Sequence, residues 1–563
     1  MSVSVGAVAL SYFFFFLFFF FLMLVSGVLK GSVLVLEWEM SEKFFMEMGF
    51  CMVLDWVACM FVLSVLFISG CVSIFSGFYL SHENFLKRFF FLVQLFVLSM
   101  ILLILFPNYL GLMVGWDGLG VVSFLLVVYY LSSNSLSAGM ITALSNRIGD
   151  VCFLLVIGLM SSMLSYSMWG VLLMSGFFMG FLMMLGSMTK SAQVPFSAWL
   201  PEAMAAPTPV STLVHSSTLV TAGVYVVIRF SEYLGELEKY LLMVFSMVTM
   251  FLAGSSACAE VDMKKVVALS TLSQVGMMMF VISVGANTIA FFHLLVHAFF
   301  KALMFMCVGG VIFYSGSCQD ARLLGGAWFK LPLTSVLFLF SNLSLMGFPF
   351  FSGFYSKELI VGVCLSSNCG FLSFILLVVC LALTACYSIR SIGLVFQDMG
   401  LSSLSFYSME NSYYLLSLLL MMNGAVMMSI VMQSLIKEFL AVSFIKGSLF
   451  YSLLIMVVVF LFNLVLFFTV SMKTMFLGFS KDFFSSMWFL SLISGNLISV
   501  GVLTTISKYI NYVEMGWIRT YLWQSGVKNM FMGMSNKVLK INFNMVGLVM
   551  FYSFCFLVMV FWW

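Results

Sequence analysis

Charge is scarce in this chain. Only 8% of its 563 residues are Asp, Glu, Lys or Arg, where a soluble domain carries about 25%. So few charges cannot solvate a globular surface, and the formal net charge of +3 is too small and too scattered for a nucleic-acid partner. Proline is scarce as well, with seven in all, so most apolar stretches run without a helix breaker. The twelve cysteines include no CxxC pair, which excludes an iron–sulfur or zinc framework. No GxGxxG opens a helix after a strand, so no dinucleotide fold is expected. A redox system containing this chain must carry its electrons elsewhere.

What remains is hydrophobic residue, 63% of the chain, in runs of 18 or more that recur from end to end. Backbone groups in lipid must be satisfied internally, and these runs are too long and too uniformly apolar for the alternating strands of a barrel. The expected fold is all-α: a polytopic membrane protein. About fifteen spans are predicted: 3–29, 49–80, 89–106, 109–131, 137–165, 168–200, 208–229, 240–259, 265–284, 287–314, 332–364, 371–396, 413–435, 449–470 and 545–563. The first, Val3 to Leu29, has no basic flank and exceeds a signal-peptide core, so it reads as a retained helix.

Two of these spans are interrupted. The sixth holds Lys190 followed by Pro195, Pro201, Pro207 and Pro209, and the eleventh runs through Gly347, Pro349 and Gly353 to Lys357. Paired Gly/Pro breaks in corresponding places point to a transporter of two inverted repeats, each of about five helices, with the ion path at the breaks. The expected organisation is 1–106 as N-terminal helices, 107–236 and 237–396 as the two antiporter-like halves, and 397–507 as further helices and a connection. Residues 508–544, too polar to span, suit an amphipathic lateral helix along the membrane or against partner subunits, re-anchored by 545–563.

Ionisable groups at bilayer depth cost roughly 2.5 to 3.5 kcal/mol at a helix centre, so they mark functional paths. His293, His297 and Lys301 follow i, i+4, i+8 spacing, which aligns them on one helix face over about 12 Å. That is a ladder for protons, with a core histidine satisfied by carbonyls as the lesser alternative for His293. Asp117 sits in an apolar span without a local partner and needs a base from another helix, for which Lys190 is the candidate. Lys190 could also snorkel from a helix end, and Asp150 could pair locally with Arg147. His215 is either a relay or a polar helix-packing residue. Among Glu260, Asp262, Lys264 and Lys265, which read as a solvated helix start, Lys265 is expected to turn inward. Desolvation and a nearby carboxylate push a lysine's proton affinity in opposite directions, so moving the partner charge can load or release its proton.

The segments GWDGLGVVSFLL, NRIGD, KSAQVPFSAWLPEAMAAPTPVSTLVHSSTLVTAGVY, DMKKVVALSTLSQVG, HAFFKALMFMC and GFYSKE, in this order, closely resemble the antiporter-like chain 5 family of NADH:ubiquinone oxidoreductase, respiratory complex I. The likeness covers about residues 32–470 and extends to the polar stretch and last anchor. It implies that Asp117 and Lys190 form the family's acid and lysine pair, Asp150 its second acidic position, Lys301 its central lysine and Lys357 the lysine of the second broken helix, with Glu358 beside it. His293 and His297 correspond to channel histidines; His215 and Lys265 join the expected path on the reading of the residues given above. The family usually has Glu where this chain has Asp117, and its first helix is expected to be missing here. The resemblance further implies redox-coupled proton translocation in the mitochondrial inner membrane beside other membrane subunits, chain 4 in particular. No cofactor is expected in this chain; NADH, FMN, iron–sulfur clusters and ubiquinone belong to others. A multisubunit cation/proton antiporter and a purely structural brace are the alternatives.

Overall fold

The computed structural model describes residues 2–25, 32–39, 49–161, 177–366, 370–396, 410–435, 478–490, 493, 498–517, 526–540 and 545–561. It divides into two compact units, Met1–Ser491 and Leu492–Trp563. Among the described residues, the regular structure of both is helical apart from one small hairpin.

In the first unit, α1 (Ser2–Val25) packs on α2 (Trp56–Tyr79). Between them lies a departure from the all-helical expectation, an antiparallel hairpin of β1 (Leu34–Glu39) and β2 (Gly49–Leu54), with Leu34 opposite Leu54. The apolar run expected to span from residue 49 therefore begins as a strand. The switch occurs at Asp55, which adopts extended backbone angles and accepts a hydrogen bond from the Ala58 N–H at 3.1 Å, capping α2.

Next come α3 (Leu86–Leu105), α4 (Tyr109–Val127), α5 (Ser133–Ser161) and α6 (Phe177–Lys190), packed successively against one another. After α6 the chain leaves the helix where Ala192 takes a left-handed φ of 54° and the prolines begin, makes short helical turns over Trp199–Glu202 and Ala203–Ala205, and re-enters helix at Thr208. Ser211–Thr218 is a π-helical stretch in which the hydroxyls of Ser217 and Thr218 donate to the Leu213 carbonyl at 2.9 and 2.7 Å. Hydroxyls that bond backward compete with the regular ladder, and such bulges recur at functional sites. It continues into α7 (Leu219–Phe230).

There follow α8 (Glu236–Ala259), α9 (Met263–Ser283) and α10 (Asn287–Tyr314). Helix α10 is almost wholly enclosed and apolar on every side but the one that carries His293, His297 and Lys301, and is surrounded by α2, α9, α11 (Pro332–Met346), α12 (Ser352–Ser366) and α14 (Ser412–Leu435). Gly310 lets α14 come close: a Cβ there would collide with the hydroxyl and ring of Tyr414. The expected span 332–364 resolves into α11 and α12, 15 residues each, separated at Gly347, whose φ of +79° suits glycine. Helix α13 (Phe371–Phe396) packs on α8 and α11.

Among the described residues, ten helices are long and apolar enough to cross a membrane. The expected span 449–470 lies outside the described residues, as do 162–165 of the fifth span and 168–176 of the sixth. The second unit holds α15 (Ile498–Tyr512), α16 (Gly526–Lys540) and α17 (Met545–Phe561). The expected lateral element 508–544 is thus described as two helical stretches, with 518–525 and 541–544 outside the described residues.

Candidate proton path

The first-half cluster is built where α4, α5 and α6 meet. Lys190, at the last turn of α6, is completely buried, and its Nζ donates to the Trp116 carbonyl at 2.5 Å. The same ammonium lies 3.7 Å from the centre of the Trp116 ring. Trp116 Nε1 donates to Asp150 Oδ1 at 2.9 Å, and the other oxygen of Asp150 meets Arg147 Nη1 at 3.0 Å, the local i, i+3 pair foreseen as one reading. Asp117 does not pair with Lys190: its Oδ1 is buried without a hydrogen-bond partner. The reason is helical geometry, since consecutive residues point about 100° apart and the lysine has been taken by the neighbour, Trp116.

The break after α6 turns a second polar group inward. Gln193 accepts from Thr249 Oγ1 of α8 at 2.6 Å and donates to the Ser191 carbonyl at 3.3 Å, which ties the first break to the second half. His215, on the π-helical stretch, is buried with both ring nitrogens unpartnered and its ring 6.1 Å from Trp199.

The second cluster surrounds α10. His293 Nδ1 is 2.9 Å from Ser356 Oγ of α12, and its Nε2 is 3.2 Å from Gln274 Oε1 of α9. His297, one turn on and 6.1 Å away by ring centres, has both nitrogens buried and unpartnered. Lys301 is wholly enclosed and donates to Ser270 Oγ of α9 at 2.5 Å. Lys357 is buried and donates to the Leu345 carbonyl of α11 across the Gly347 break. Among the described residues, no carboxylate oxygen lies within 4.0 Å of Lys190, Lys301 or Lys357. Glu358, on the next position of α12, is half-buried.

Beside Gln274 lies a cavity of about 10 Å³, lined by Ser273, Gln274 and Thr384 with Met250, Met277 and Leu381 among its apolar walls, room for about one water. Ser273 Oγ is 3.1 Å from the Tyr387 hydroxyl, and Gln274 Nε2 is buried without a partner. The spacing of α9 explains this row, because Ser270, Ser273 and Gln274 fall on one helix face toward α10 and α13.

The inward turn expected of Lys265 is not found. Its side chain is 39% exposed and meets Asp262 at 3.5 Å, whereas Lys264 is buried at 5%. Lys264 lies on the face of Val267, Ala268 and Thr271, whereas Lys265, in the first turn of the same otherwise buried helix, reaches back to Asp262 just before its start. Sequence reasoning also passed over Trp116, Gln193, Thr249, Ser270, Gln274 and Ser356. Five of these six lie inside the motif segments already singled out, Thr249 alone outside them, and a clustering of Ser, Thr and Gln in otherwise apolar spans was the available signal.

Residues 107–384 match the family described as NADH:quinone oxidoreductase/Mrp antiporter, transmembrane, a stretch holding all ten expected site residues. Aedes aegypti NADH-ubiquinone oxidoreductase chain 5 is 49% identical over 373 residues, 64% of this chain and 64% of that one. The same-named protein of Anopheles arabiensis is 48% identical over 62% of this chain and 92% of its own. The one of Mytilus edulis is 46% identical over 69% of this chain and 67% of its own. The chain thus spans 64% of the length of the Aedes relative it matches. Among solved structures, that of an Mrp complex from Dietzia superposes with a TM-score of 0.67 at 23% identity, covering 89% of this chain and 60% of that one. An archaeal membrane-bound sulfane sulfur reductase gives 0.65 at 20% identity, covering 82% and 99%, and both likenesses concern the fold. A buried row of lysines and histidines on antiporter-like helices, with these relatives, identifies the chain as belonging to the family of NADH-ubiquinone oxidoreductase chain 5.

Proposed function

We propose that this chain translocates protons as a membrane subunit of NADH:ubiquinone oxidoreductase. The observation that carries the reading is Lys301. It is fully enclosed on the most buried helix, aligned with His293 and His297 and held by a serine hydroxyl in place of a carboxylate. An unpaired ammonium at such depth is expensive and is retained for a pathway. The unpartnered nitrogens of His215 and His297 offer hydrogen bonds that only water or a moving proton carrier can take up. The proposed path runs from Asp117, Asp150 and Lys190 past His215, across the tie of Gln193 to Thr249, to His293, His297 and Lys301, and on to Lys357 and Glu358. The segments 107–236 and 237–396 serve as its two halves.

In this reading the chain holds no cofactor. NADH, FMN, iron–sulfur clusters and ubiquinone act in other subunits, the neighbouring antiporter-like chain 4 among the partners and the mitochondrial inner membrane the setting. The helices after residue 507 brace those partners. The shared fold with an Mrp complex favours a second reading, cation/proton exchange independent of NADH. Vesicles containing the assembled complex decide between them. The first reading expects proton movement that starts with NADH and quinone and stops with a quinone-site inhibitor; sodium-driven proton exchange without NADH would replace it with the second.

A further inference from the structure

Trp116 touches both charged groups of the first-half cluster. Its indole is completely buried and stands edge-on to Phe153, with ring centres 4.6 Å apart and planes at 65°. Phe153 in turn covers Gly186 of α6, where a Cβ would lie 2.8 Å from its ring. One stack therefore links α4, α5 and α6. On one side the Lys190 ammonium rests 3.7 Å from the ring centre and bonds to the Trp116 carbonyl; on the other the ring N–H donates to Asp150. An aromatic ring is negative on its face and positive at its edge, so the two contacts suit a cation and an anion respectively. Asp117, the adjoining residue, meanwhile leaves Oδ1 buried and unpartnered.

We infer that Trp116 is a positioning residue of the path: it holds Lys190 away from Asp117, and its N–H bond to Asp150 sets the ring orientation on which that hold depends. The structure captures the withdrawn arrangement. Transfer of Lys190 to Asp117 requires the ammonium to leave the ring face, and a change of charge on Asp150 loosens the ring by removing its best acceptor. Trp116 thereby makes the two acids communicate through one rigid side chain, without direct contact between them. This inference rests on the proton-path reading above.

The test uses the assembled complex carrying Trp116→Phe, which keeps the ring face and the packing on Phe153 but lacks the N–H, together with Trp116→Leu, Asp150→Asn and Lys301→Met. NADH-driven proton pumping and infrared difference spectra are recorded for each. The expected result is normal assembly of Trp116→Phe, a roughly tenfold slower pumping rate, as for losing a hydrogen bond to a charged group, and displacement of the Asp150 band, identified by its disappearance in Asp150→Asn. Trp116→Leu should pump more slowly still; if it does not assemble, Trp116→Phe carries the test alone. A Trp116→Phe complex that pumps normally, or whose Asp150 band is unmoved, overturns the inference while Lys301→Met remains defective. Normal pumping by Lys301→Met overturns the proton-path reading itself.

Discussion

Lys264 and Lys265 are chemically identical neighbours that end in different surroundings, one buried among the helices and the other paired with Asp262 at the surface. Replacing Lys264 with Ala is therefore expected to slow NADH-driven pumping by roughly tenfold, and replacing Lys265 by less than about twofold, because exposed ion pairs contribute little. Proton release measured in vesicles separates the two. Asp117 gives a second prediction. Its oxygen is buried without a partner, and its side chain is one methylene shorter than that of a glutamate. Asp117→Glu should preserve or raise the pumping rate, while Asp117→Asn should lower it; a rate unchanged in Asn would remove Asp117 from the path. The ionisable residues were legible in the sequence because each interrupts an apolar run. Their neutral partners were not: Ser270, for example, also bonds back to the Val267 carbonyl, as any serine in a membrane helix can, and nothing in its spacing announces Lys301.

The helix breaks that set the site were read from proline and glycine, and each is a local necessity. At Gly353 an added Cβ would collide with the Ser344 carbonyl, so α12 can approach α11 this closely only without a side chain. Gly353→Ala should push the two apart, carry Lys357 off the Leu345 carbonyl and reduce pumping with the complex still assembled, which blue-native gels and pumping assays together would reveal. The hairpin and the π-helical stretch escaped the sequence reading. Both depend on bonds that periodicity does not carry: the Asp55 cap in the first case, backward hydroxyl bonds in the second. Asp55 also receives Arg229 Nη2 at 2.7 Å, while Arg229 Nε donates to the Tyr225 hydroxyl at 2.8 Å, so one carboxylate ties the start of α2 to the end of α7. Breaking such a pair costs about 3 kcal/mol, and Asp55→Asn should lower the thermal unfolding midpoint. Burial alone would raise the Asp55 carboxyl, but the Arg229 hydrogen bonds and charge outweigh it and hold the group below the usual carboxylate range. A lowered carboxyl stabilises the fold fully above its unfolded value near ~4. That contribution disappears as pH falls through the lowered value, so the gap between wild type and Asp55→Asn should close in acid.

At the scale of the whole molecule, composition alone dictated an all-helical membrane protein, and the described helices agree with most of the expected spans to within a few residues. The number of spans was less legible: the sequence shows that the 33-residue run 332–364 is interrupted at Gly347, but not that the interruption leaves two separate helices of 15 residues. Residues 107–236 and 237–396 are tied by a neutral pair, Gln193 with Thr249, and the small cavity beside Gln274 lies within the second segment; the central claim is that protons cross this tie to reach Lys301. The most direct test is the number of protons moved per NADH oxidised by the assembled complex carrying Lys301→Met. The account predicts that quinone reduction continues with a lowered proton yield, or slows with it if the two are tightly coupled. An unchanged yield at an unchanged rate would contradict it.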